Sequence, residues 1–386
     1  MKSDRRWSRV GVRLCGRMIL PMCLAVGALL LSDGQAAMVS PVSAQTPGQS
    51  MAQKATQPNQ SLATKNTVQL MAEGKKVSQQ GMLFENRTWV PLTFLRDELK
   101  LPLSYESVNH TYTILQDYQK LHVTLYEGGV TSYVNGYYLG DPGAKLIKGR
   151  VYIPFQWLKD YFGYEGVWNS KLKQLDVVRS KINKLEMDTV NYSEDNSEAV
   201  ISLSYPSVQL GNKAAAKAIN DVLEKDTADF REYIKTSLKQ RDQEAGLSPY
   251  EFNSSYVVTY NQKGLLSLFV DRYEYMGGAH GMTVRIGYTF SLEDGRLLTM
   301  KDLFGDNPDY LKVINKKLKE GFESHPGYFG GFTGLREVSD YYLQTDKIKL
   351  FFQVYEYTPY AAGIPEFSVS YEELLKKGNS YEKLIP

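Results

Sequence analysis

RTWVPLTFLRD at residues 87–97 and RVYIPFQWLKD at residues 150–160 are two versions of one unit. Both begin with an arginine, continue through aromatic and branched residues to a proline, and end in an apolar segment that closes on an aspartate. A constant spacing of 63 residues relates them, and it also aligns Tyr105 with Trp168 further along the chain. An internal repeat of this kind indicates one supersecondary unit used twice, because neither copy can bury its apolar face alone.

Each copy of the repeat predicts a strand, a proline and a short helix. Proline suits the first helical turn, where its missing N–H would have no partner in any case. The residues that follow place large apolar side chains on one helical face. Alternating runs typical of strands come next, at 103–106, 112–115, 121–125, 166–168 and 174–178. Residues 67–180 are therefore predicted to form one α/β module built from the repeat.

The N-terminal segment is predicted to be an export signal over residues 1–44. Six basic residues precede an apolar run at 18–31, and small residues before position 45 suit cleavage after Ala44. An uncleaved membrane anchor is the alternative, but the run is shorter than the roughly 20 residues that span a bilayer. Residues 45–66 are polar, which predicts a flexible linker. Both cysteines lie within the signal, so an exported chain would have neither a disulfide nor a thiolate site.

Removal of the signal changes the charge balance of the protein. The full chain has 45 Lys and Arg against 43 Asp and Glu, and the signal takes away six basic and two acidic residues. The exported chain therefore carries a formal charge of about −2, which argues against nucleic acid or anionic lipid as a partner. No membrane span is expected after cleavage.

From residue 185 the pattern changes to strands combined with long amphipathic helices. Residues 212–240 and 308–322 carry apolar side chains at helical spacing. Strand-like runs occupy 199–206, 254–260, 265–275, 282–292, 296–300 and 347–357, with turns at 262–264 and 293–295 that predict two hairpins. Residues 185–386 are therefore predicted to form a second domain, and the fold class of the whole chain is α+β.

The repeated module resembles the copper amine oxidase N-terminal-like domain, a stalk module of secreted bacterial proteins. The resemblance covers 67–179 and rests on the Arg-aromatic-hydrophobic-Pro pattern, the short helix and the strand that bears a tryptophan. It implies an antiparallel sheet wrapped about a helix. It implies no copper here, because the metal and the quinone belong to another domain of the oxidases, and this module contains only His110 and His122. We therefore expect no metal and no cofactor.

Three phrases of the second domain support another resemblance: YMGGAHG at 275–281, LTMKDLF at 298–304 and PYAAGIPEF at 359–367. In this order they resemble the paired uncharacterised domains in the extracellular half of the lysozyme-sensing anti-sigma factor, a pair that also occurs beside peptidoglycan deacetylase domains. The resemblance covers about 185–378 and implies a binding surface for lysozyme or cell-wall glycan. A sigma-factor-binding segment and a deacetylase domain are not recognised in this sequence.

The second domain also supplies the candidate ligand contacts. They are aromatic, glycine, histidine and acidic residues of these phrases and of the loop 326–334: Tyr275, Gly277, Gly278, His280, Tyr328, Phe329, Tyr360 and Glu366. His280 has two interpretations, a general acid–base that needs a partner and a pocket, or a structural residue whose ring fixes a glycine-rich turn. The chain has no His-Glu-x-x-His helix, nucleophile elbow or phosphate-binding loop, so no catalytic residue is assigned.

These observations favour a secreted, non-enzymatic protein associated with the wall of a Gram-positive bacterium. The second domain is expected to bind lysozyme, peptidoglycan or another wall polymer, and the repeated module to serve as a stalk. One alternative is an enzyme that acts on cell-wall glycan through His280 and nearby carboxylates. The other is a structural wall-assembly protein.

Overall fold

The computed structural model describes residues 66–140, 143–241, 248–335, 340–375 and residue 381. The predicted export signal, and all of the predicted linker except residue 66, lie outside these ranges. No helix in the described part of the chain has both the length and the apolar character required to span a bilayer.

The first half of the described chain contains a seven-stranded sheet in the order β11-β12-β1-β2-β3-β10-β9. Its strands are β1 (Thr67–Ala72), β2 (Lys75–Phe84), β3 (Arg87–Pro91), β9 (Lys145–Ile147), β10 (Arg150–Pro154), β11 (Tyr164–Asn169) and β12 (Gln174–Arg179). Strands β1 and β12 pair in parallel, and the other neighbours are antiparallel. The beginning and the end of the module therefore lie side by side in one sheet.

The two copies of the repeat meet directly in this sheet. Strands β3 and β10 pair antiparallel, with Val90 opposite Ile153. Each strand ends in its proline and leads into a helix, α1 (Leu92–Asp97) or α2 (Phe155–Tyr161). Both helices bury apolar side chains, namely Leu92, Phe94 and Leu95 in α1 and Trp157 and Leu158 in α2. The predicted strand-proline-helix unit is therefore confirmed in both copies.

After the helices the two copies diverge. Strands β11 and β12 of the second copy remain in the seven-stranded sheet, whereas the corresponding strands of the first copy enter a separate five-stranded sheet. That sheet has the order β4-β5-β6-β7-β8, formed by β4 (Leu103–Glu106), β5 (Thr111–Gln116), β6 (Gln119–Tyr126), β7 (Gly129–Val134) and β8 (Tyr137–Tyr138). One sequence unit thus supplies strands to two different sheets.

The second half contains a five-stranded sheet whose strands follow chain order: β13 (Glu186–Asp195), β14 (Ala199–Gln209), β15 (Tyr250–Gln262), β16 (Leu265–Tyr275) and β17 (Met282–Ser291). Strands β14 and β15 pair in parallel, and the crossover between them contains the long helix α3 (Lys213–Lys239). Asn212 caps this helix by accepting hydrogen bonds from the backbone of Ala214 and Ala215. The predicted turn at 262–264 joins β15 and β16 as expected.

A three-stranded sheet completes the second half, with β18 (Tyr341–Leu343), β19 (Lys347–Phe351) and β20 (Glu366–Ser370). Around it lie α4 (Met300–Phe304), α5 (Tyr310–Ser324), a single 3-10 turn (Tyr360–Ala362) and α6 (Tyr371–Leu374). The described residues thus form four sheets with few helices, and the α+β prediction is confirmed.

Two local predictions in this half are wrong. The strand expected at 296–300 is reduced to one bridge between Phe290 and Leu297, because Thr299 and Asp302 form a capping box that starts α4. The strand expected at 347–357 stops at Phe351, and a turn follows in which Tyr355 has a φ of +65°.

The repeated module and the second half are in direct contact. Helix α2 lies beside the start of β19: Lys159 of the helix pairs with Asp346 at 2.5 Å, and Asp160 of the helix pairs with Lys347 at 3.5 Å. The side-chain amide of Gln119 donates to the Val258 carbonyl at 2.6 Å. The predicted division near residues 180–185 stays a prediction, since the apolar core of the first half also includes residues of the second.

Candidate functional site

A glycine-rich turn positions His280 at the exposed end of the β16–β17 hairpin. Gly277 and Gly278 have φ values of +89° and +99°, a backbone conformation that residues with a Cβ rarely adopt. The Tyr275 hydroxyl donates to the Gly278 carbonyl at 3.1 Å and closes the turn. Because of this turn, His280 is held outside the sheet and is an exposed residue.

The hydrogen bonds of the His280 ring define its neutral tautomer. Nδ1 lies 2.9 Å from the carbonyl oxygen of Gly281, which can only accept, so Nδ1 carries the proton. Nε2 lies 3.1 Å from the Tyr355 hydroxyl. In the neutral ring Nε2 accepts, so the Tyr355 hydroxyl donates to it. One backbone carbonyl therefore orients the imidazole with its basic nitrogen toward a phenol.

Two tyrosines from a distant part of the chain cover His280. The Tyr360 ring stacks on the imidazole with centroids 3.9 Å apart and an interplanar angle of 14°. The Tyr355 ring lies 5.9 Å from Tyr360 and is 46% exposed. The left-handed backbone of Tyr355 is an outlier for so bulky a residue, and such strain concentrates at functional sites.

Tyr273 lies against Gly281, the residue that follows His280. A Cβ placed on Gly281 would lie 2.4 Å from the Tyr273 ring and 2.5 Å from the Glu274 carbonyl, so only glycine fits there. Burial raises the pKa of Tyr273 to about 12, with further contributions from nearby acidic groups including Glu251 and Tyr360. Its hydroxyl therefore remains protonated at neutral pH. We call Tyr273, Tyr275, His280, Tyr355 and Tyr360 the aromatic surface.

The loop 326–334 is attached to the segment that carries this surface. The backbone N–H of Phe329 donates to the Tyr357 carbonyl at 3.2 Å, and the Phe329 side chain is 60% exposed. Tyr328 turns the other way, with its ring 5.0 Å from that of Phe322. Its hydroxyl accepts from the backbone N–H of Phe332 at 2.9 Å. Of the two predicted contacts in the loop, Phe329 is presented to solvent and Tyr328 supports the loop.

Glu366, also predicted to contact a ligand, belongs to a separate ion-pair cluster. Its carboxylate accepts hydrogen bonds from the guanidinium of Arg285 and, at 3.0 Å, from the Tyr342 hydroxyl. Arg285 also binds both carboxylate oxygens of Asp271 at 2.7 Å and is only 4% exposed. The described contacts of Glu366 therefore tie it to Arg285 and not to the aromatic surface.

Tyr273 and Tyr355 are the two members of the aromatic surface that the sequence did not single out. Tyr355 lies 75 positions from its partner His280, and no local pattern reports a contact over that distance. The described contacts of His280 do not include a carboxylate. Its neighbours are polar and aromatic, which suits stacking against a sugar ring and hydrogen bonding to its substituents.

The histidines of the repeated module each face a hydroxyl. Nδ1 of His110 lies 3.0 Å from the Tyr105 hydroxyl, and Nδ1 of His122 lies 3.0 Å from the Thr113 hydroxyl. Within the described residues, no group of three or more His, Cys, Asp or Glu side chains could hold a metal ion. The expected lack of copper and of other cofactors stays a prediction.

Family models match three consecutive segments of the chain. Residues 69–177 match the copper amine oxidase N-terminal domain, residues 192–283 match the model described as Deacetylase PdaC, and residues 301–372 match the protein family of unknown function DUF3298. The predicted resemblance of the repeated module is therefore confirmed. The resemblance to the anti-sigma factor stays a prediction.

The chain is also similar to a curated protein of Bacillus subtilis strain 168, the peptidoglycan-N-acetylmuramic acid deacetylase PdaC. The two are 24% identical over 229 residues, which cover 56% of this chain and 47% of the relative. The chain thus spans about half the length of this relative.

Two solved structures of DUF3298 proteins are similar as well. The protein from Bacteroides fragilis NCTC 9343 is 20% identical, with coverage of 49% of this chain and 91% of its own and a TM-score of 0.40. The protein from Pseudomonas aeruginosa PAO1 is 15% identical, with coverage of 53% and 98% and a TM-score of 0.41.

The matches overturn one prediction from the sequence. A non-enzymatic binder of lysozyme or of a wall polymer was expected, but residues 192–283 match a deacetylase model and the chain is similar to a curated deacetylase. These findings contradict the non-enzymatic interpretation and favour the alternative of an enzyme that acts on the cell wall. The prediction rested on the lack of known catalytic motifs in the sequence, but residues that meet only in the fold, such as His280 and Tyr355, leave no such motif.

Proposed function

We propose that the protein removes acetyl groups from N-acetylated sugars of cell-wall peptidoglycan, and that the aromatic surface holds the glycan. The main support is that the segment matching a deacetylase model, 192–283, ends in the turn that carries His280. The relative named for this activity supports the same substrate class. The proposal extends to a location outside the cell at the wall, with the repeated module as a stalk.

The aromatic surface has the chemistry that a sugar requires. A pyranose ring presents apolar C–H groups on its faces and hydroxyl or acetamido groups at its edge. Tyrosine combines a flat apolar ring with a hydroxyl that donates or accepts, so it serves both parts of the sugar. Burial, together with the neighbouring Tyr355, raises the pKa of Tyr360, so this phenol stays neutral and able to donate.

His280 and Tyr355 are the proposed proton-handling pair. In the hydrolysis, the oxygen of water forms a bond to the acetyl carbon and the C–N bond breaks, which yields acetate and a free amine. Nε2 of His280 takes a proton from the attacking water once the Tyr355 hydroxyl turns toward the substrate, and it gives this proton to the sugar nitrogen as the C–N bond breaks, which returns the imidazole to its neutral form. The Tyr355 hydroxyl then donates to the acetyl oxygen, where negative charge develops.

Besides His280 and Tyr360, six residues were predicted to contact a ligand, and in this proposal they support the aromatic surface. Gly277 and Gly278 shape the turn, and Tyr275 closes it. Phe329 adds an exposed ring on the attached loop, while Tyr328 and Glu366 hold the neighbouring structure in place.

Acetate release tests the proposal. The full chain is incubated with N-acetylated peptidoglycan, and both acetate and new free amino groups are measured. We expect both products in equal amounts from the unaltered protein and a large loss in the His280→Asn variant. His110→Asn is the matched control, because asparagine tolerates the positive φ of this exposed histidine in the other module. Absence of acetate above the buffer level with the unaltered protein would overturn the proposed activity.

A further inference from the structure

We propose that the outer face of the five-stranded sheet β4–β8 is a second glycan-binding surface, which takes an uncharged chain of N-acetylated sugars. The surface lies in the repeated module, apart from the aromatic surface. Its central feature is one cross-strand row of five residues, which we call the polar row: Ser104, Thr113, His122, Tyr133 and Tyr138.

The register of the sheet places one residue of the polar row on each strand. Ser104 pairs with Thr113, Thr113 with His122, His122 with Tyr133, and Tyr133 with Tyr138. Neighbouring strands lie about 4.8 Å apart, so the row runs for roughly 19 Å across the sheet. A row of this length offers successive contacts to an extended oligosaccharide.

Successive side chains of each strand point to opposite faces of the sheet, so one face is buried and the other faces solvent. The opposite face contributes fully buried apolar side chains to the core, among them Ile114, Leu121, Val123 and Val134. The members of the polar row are half-buried or exposed, and Tyr138 on the short last strand is 51% exposed. The row is therefore the solvent side of a rigid sheet.

The polar row combines hydroxyl groups with aromatic rings. The Thr113 hydroxyl and Nδ1 of His122 are 3.0 Å apart, so each limits the rotation of the other. The rings of Tyr133 and Tyr138 lie 5.5 Å apart at an angle of 52°. Two tilted rings beside a line of hydroxyls offer stacking and hydrogen bonding together, the combination that a sugar chain uses.

Charge complementarity selects an uncharged ligand for the polar row. Burial, with a smaller effect of Lys120, lowers the pKa of His122, so its ring is neutral at neutral pH. Burial, with Tyr138 and Tyr126, raises the pKa of Tyr133, so this phenol is neutral too. Serine and threonine carry no charge. The same face carries one exposed base and one exposed acid beside the row, Lys120 and Glu106, so it has no net positive charge to hold an anionic phosphate polymer. A neutral N-acetylated chain meets groups in the row that hydrogen bond or stack.

The composition of the row is not explained by strand stability alone. Threonine and tyrosine favour any strand, but exposed sheet faces and edge strands usually carry charged side chains that limit aggregation. The polar row itself crosses all five strands without one, and the charged strand residues of this face, Glu106 and Lys120, stand beside it. We expect such an exposed row of neutral polar and aromatic groups to bind an uncharged ligand that can stack and hydrogen bond.

This inference goes beyond the proposed function and rests on it only for the choice of sugar. Binding at the polar row requires no catalysis and none of the residues of the aromatic surface. The two proposals therefore have separate measurements: acetate release for the first and oligosaccharide affinity for the second.

Calorimetric titration with a soluble oligomer of N-acetylglucosamine tests the polar row. The full chain is used in a His280→Asn, Tyr360→Ala background, which removes contacts at the aromatic surface. Adding Tyr133→Ala and Tyr138→Ala should weaken binding by about tenfold or more, since two stacking rings are lost. The matched control is Tyr105→Ala, because Tyr105 is 48% exposed on the opposite face of the same sheet.

Two results would overturn the inference. One is an affinity that does not change in the Tyr133→Ala, Tyr138→Ala variant, provided that its circular dichroism shows an intact fold. The other is tighter binding of polyphosphate than of the neutral oligomer to the same face. Either result leaves acetate release as an independent question, so failure here is distinguishable from failure of the proposed activity.

Discussion

The β16–β17 hairpin carries two clusters with opposite character. His280 and Arg285 are five positions apart in the sequence, yet His280 is exposed among neutral rings and Arg285 is buried between two carboxylates. Both depend on the same distant segment, because Gln353 exchanges hydrogen bonds with the Arg285 backbone while Tyr355 binds His280. At this hairpin the charged groups are buried and stabilise the fold, whereas the uncharged aromatic groups are exposed to solvent.

The largest effect is expected from breaking the buried cluster. Replacement of Arg285 by methionine leaves Asp271 and Glu366 without their main partner, and loss of one member of a buried pair costs about 3–5 kcal/mol. We expect the free energy of unfolding, measured by urea denaturation, to fall by that amount. Lys316→Met is the matched control at an exposed pair, where little change is expected. Equal stability of the two variants would contradict the structural role of Arg285.

An intermediate effect is expected where the hairpin meets the aromatic surface. In Gly281→Ala the added methyl group would collide with Tyr273 and the Glu274 carbonyl, so the backbone beside His280 must move. Overpacking of this kind costs about 1–3 kcal/mol, and we also expect loss of acetate release. The two effects are measured by thermal unfolding and by product assay.

Gly211→Ala provides the control for that change. Nothing lies within 4 Å of the position that its Cβ would take, so stability and activity should both be retained. If Gly281→Ala behaves like this control, then the close approach of Tyr273 does not position His280.

The smallest effect concerns the pH response of His122. Its pKa is lowered in the folded protein from the ordinary value of 6.5, chiefly by burial. As the pH falls, His122 is protonated at a higher pH in the unfolded chain than in the folded protein. The contribution of His122 to stability is therefore present above pH 6.5 and is lost as the pH falls toward the folded pKa. His122→Asn should flatten this part of the stability curve. A titration by NMR with a midpoint above 6.5 would contradict the prediction.

The sequence predicted the units of the fold better than their arrangement. The repeat identified the strand-proline-helix unit, because its apolar spacing and its prolines act locally. It did not reveal that β3 and β10 pair with each other, or that β4 and β5 enter a different sheet from β11 and β12. Strand partners are decided by long-range packing, which two similar copies of one unit do not encode in their shared residues.

The candidate site could be predicted only in part, because local signals are visible in the sequence and long-range contacts are not. The glycine pair before His280 is a local signal, and the structure places Tyr360 on the imidazole, as a shared site would require. Tyr355 gave no signal, since its position depends on a turn that breaks the expected strand at 347–357. Glu366 looked available in sequence, but Arg285 is brought to it only by the fold. The capping box at Thr299 and Asp302 was a local signal that the strand assignment overlooked.

We propose that the aromatic surface holds the glycan. This proposal is tested most directly by an NMR titration of the full chain with a soluble disaccharide of N-acetylglucosamine and N-acetylmuramic acid. We expect the signals of His280, Tyr355 and Tyr360 to shift together with one dissociation constant, and Tyr360→Ala to abolish the shifts. A titration in which these three signals remain unchanged at saturating disaccharide would contradict the account.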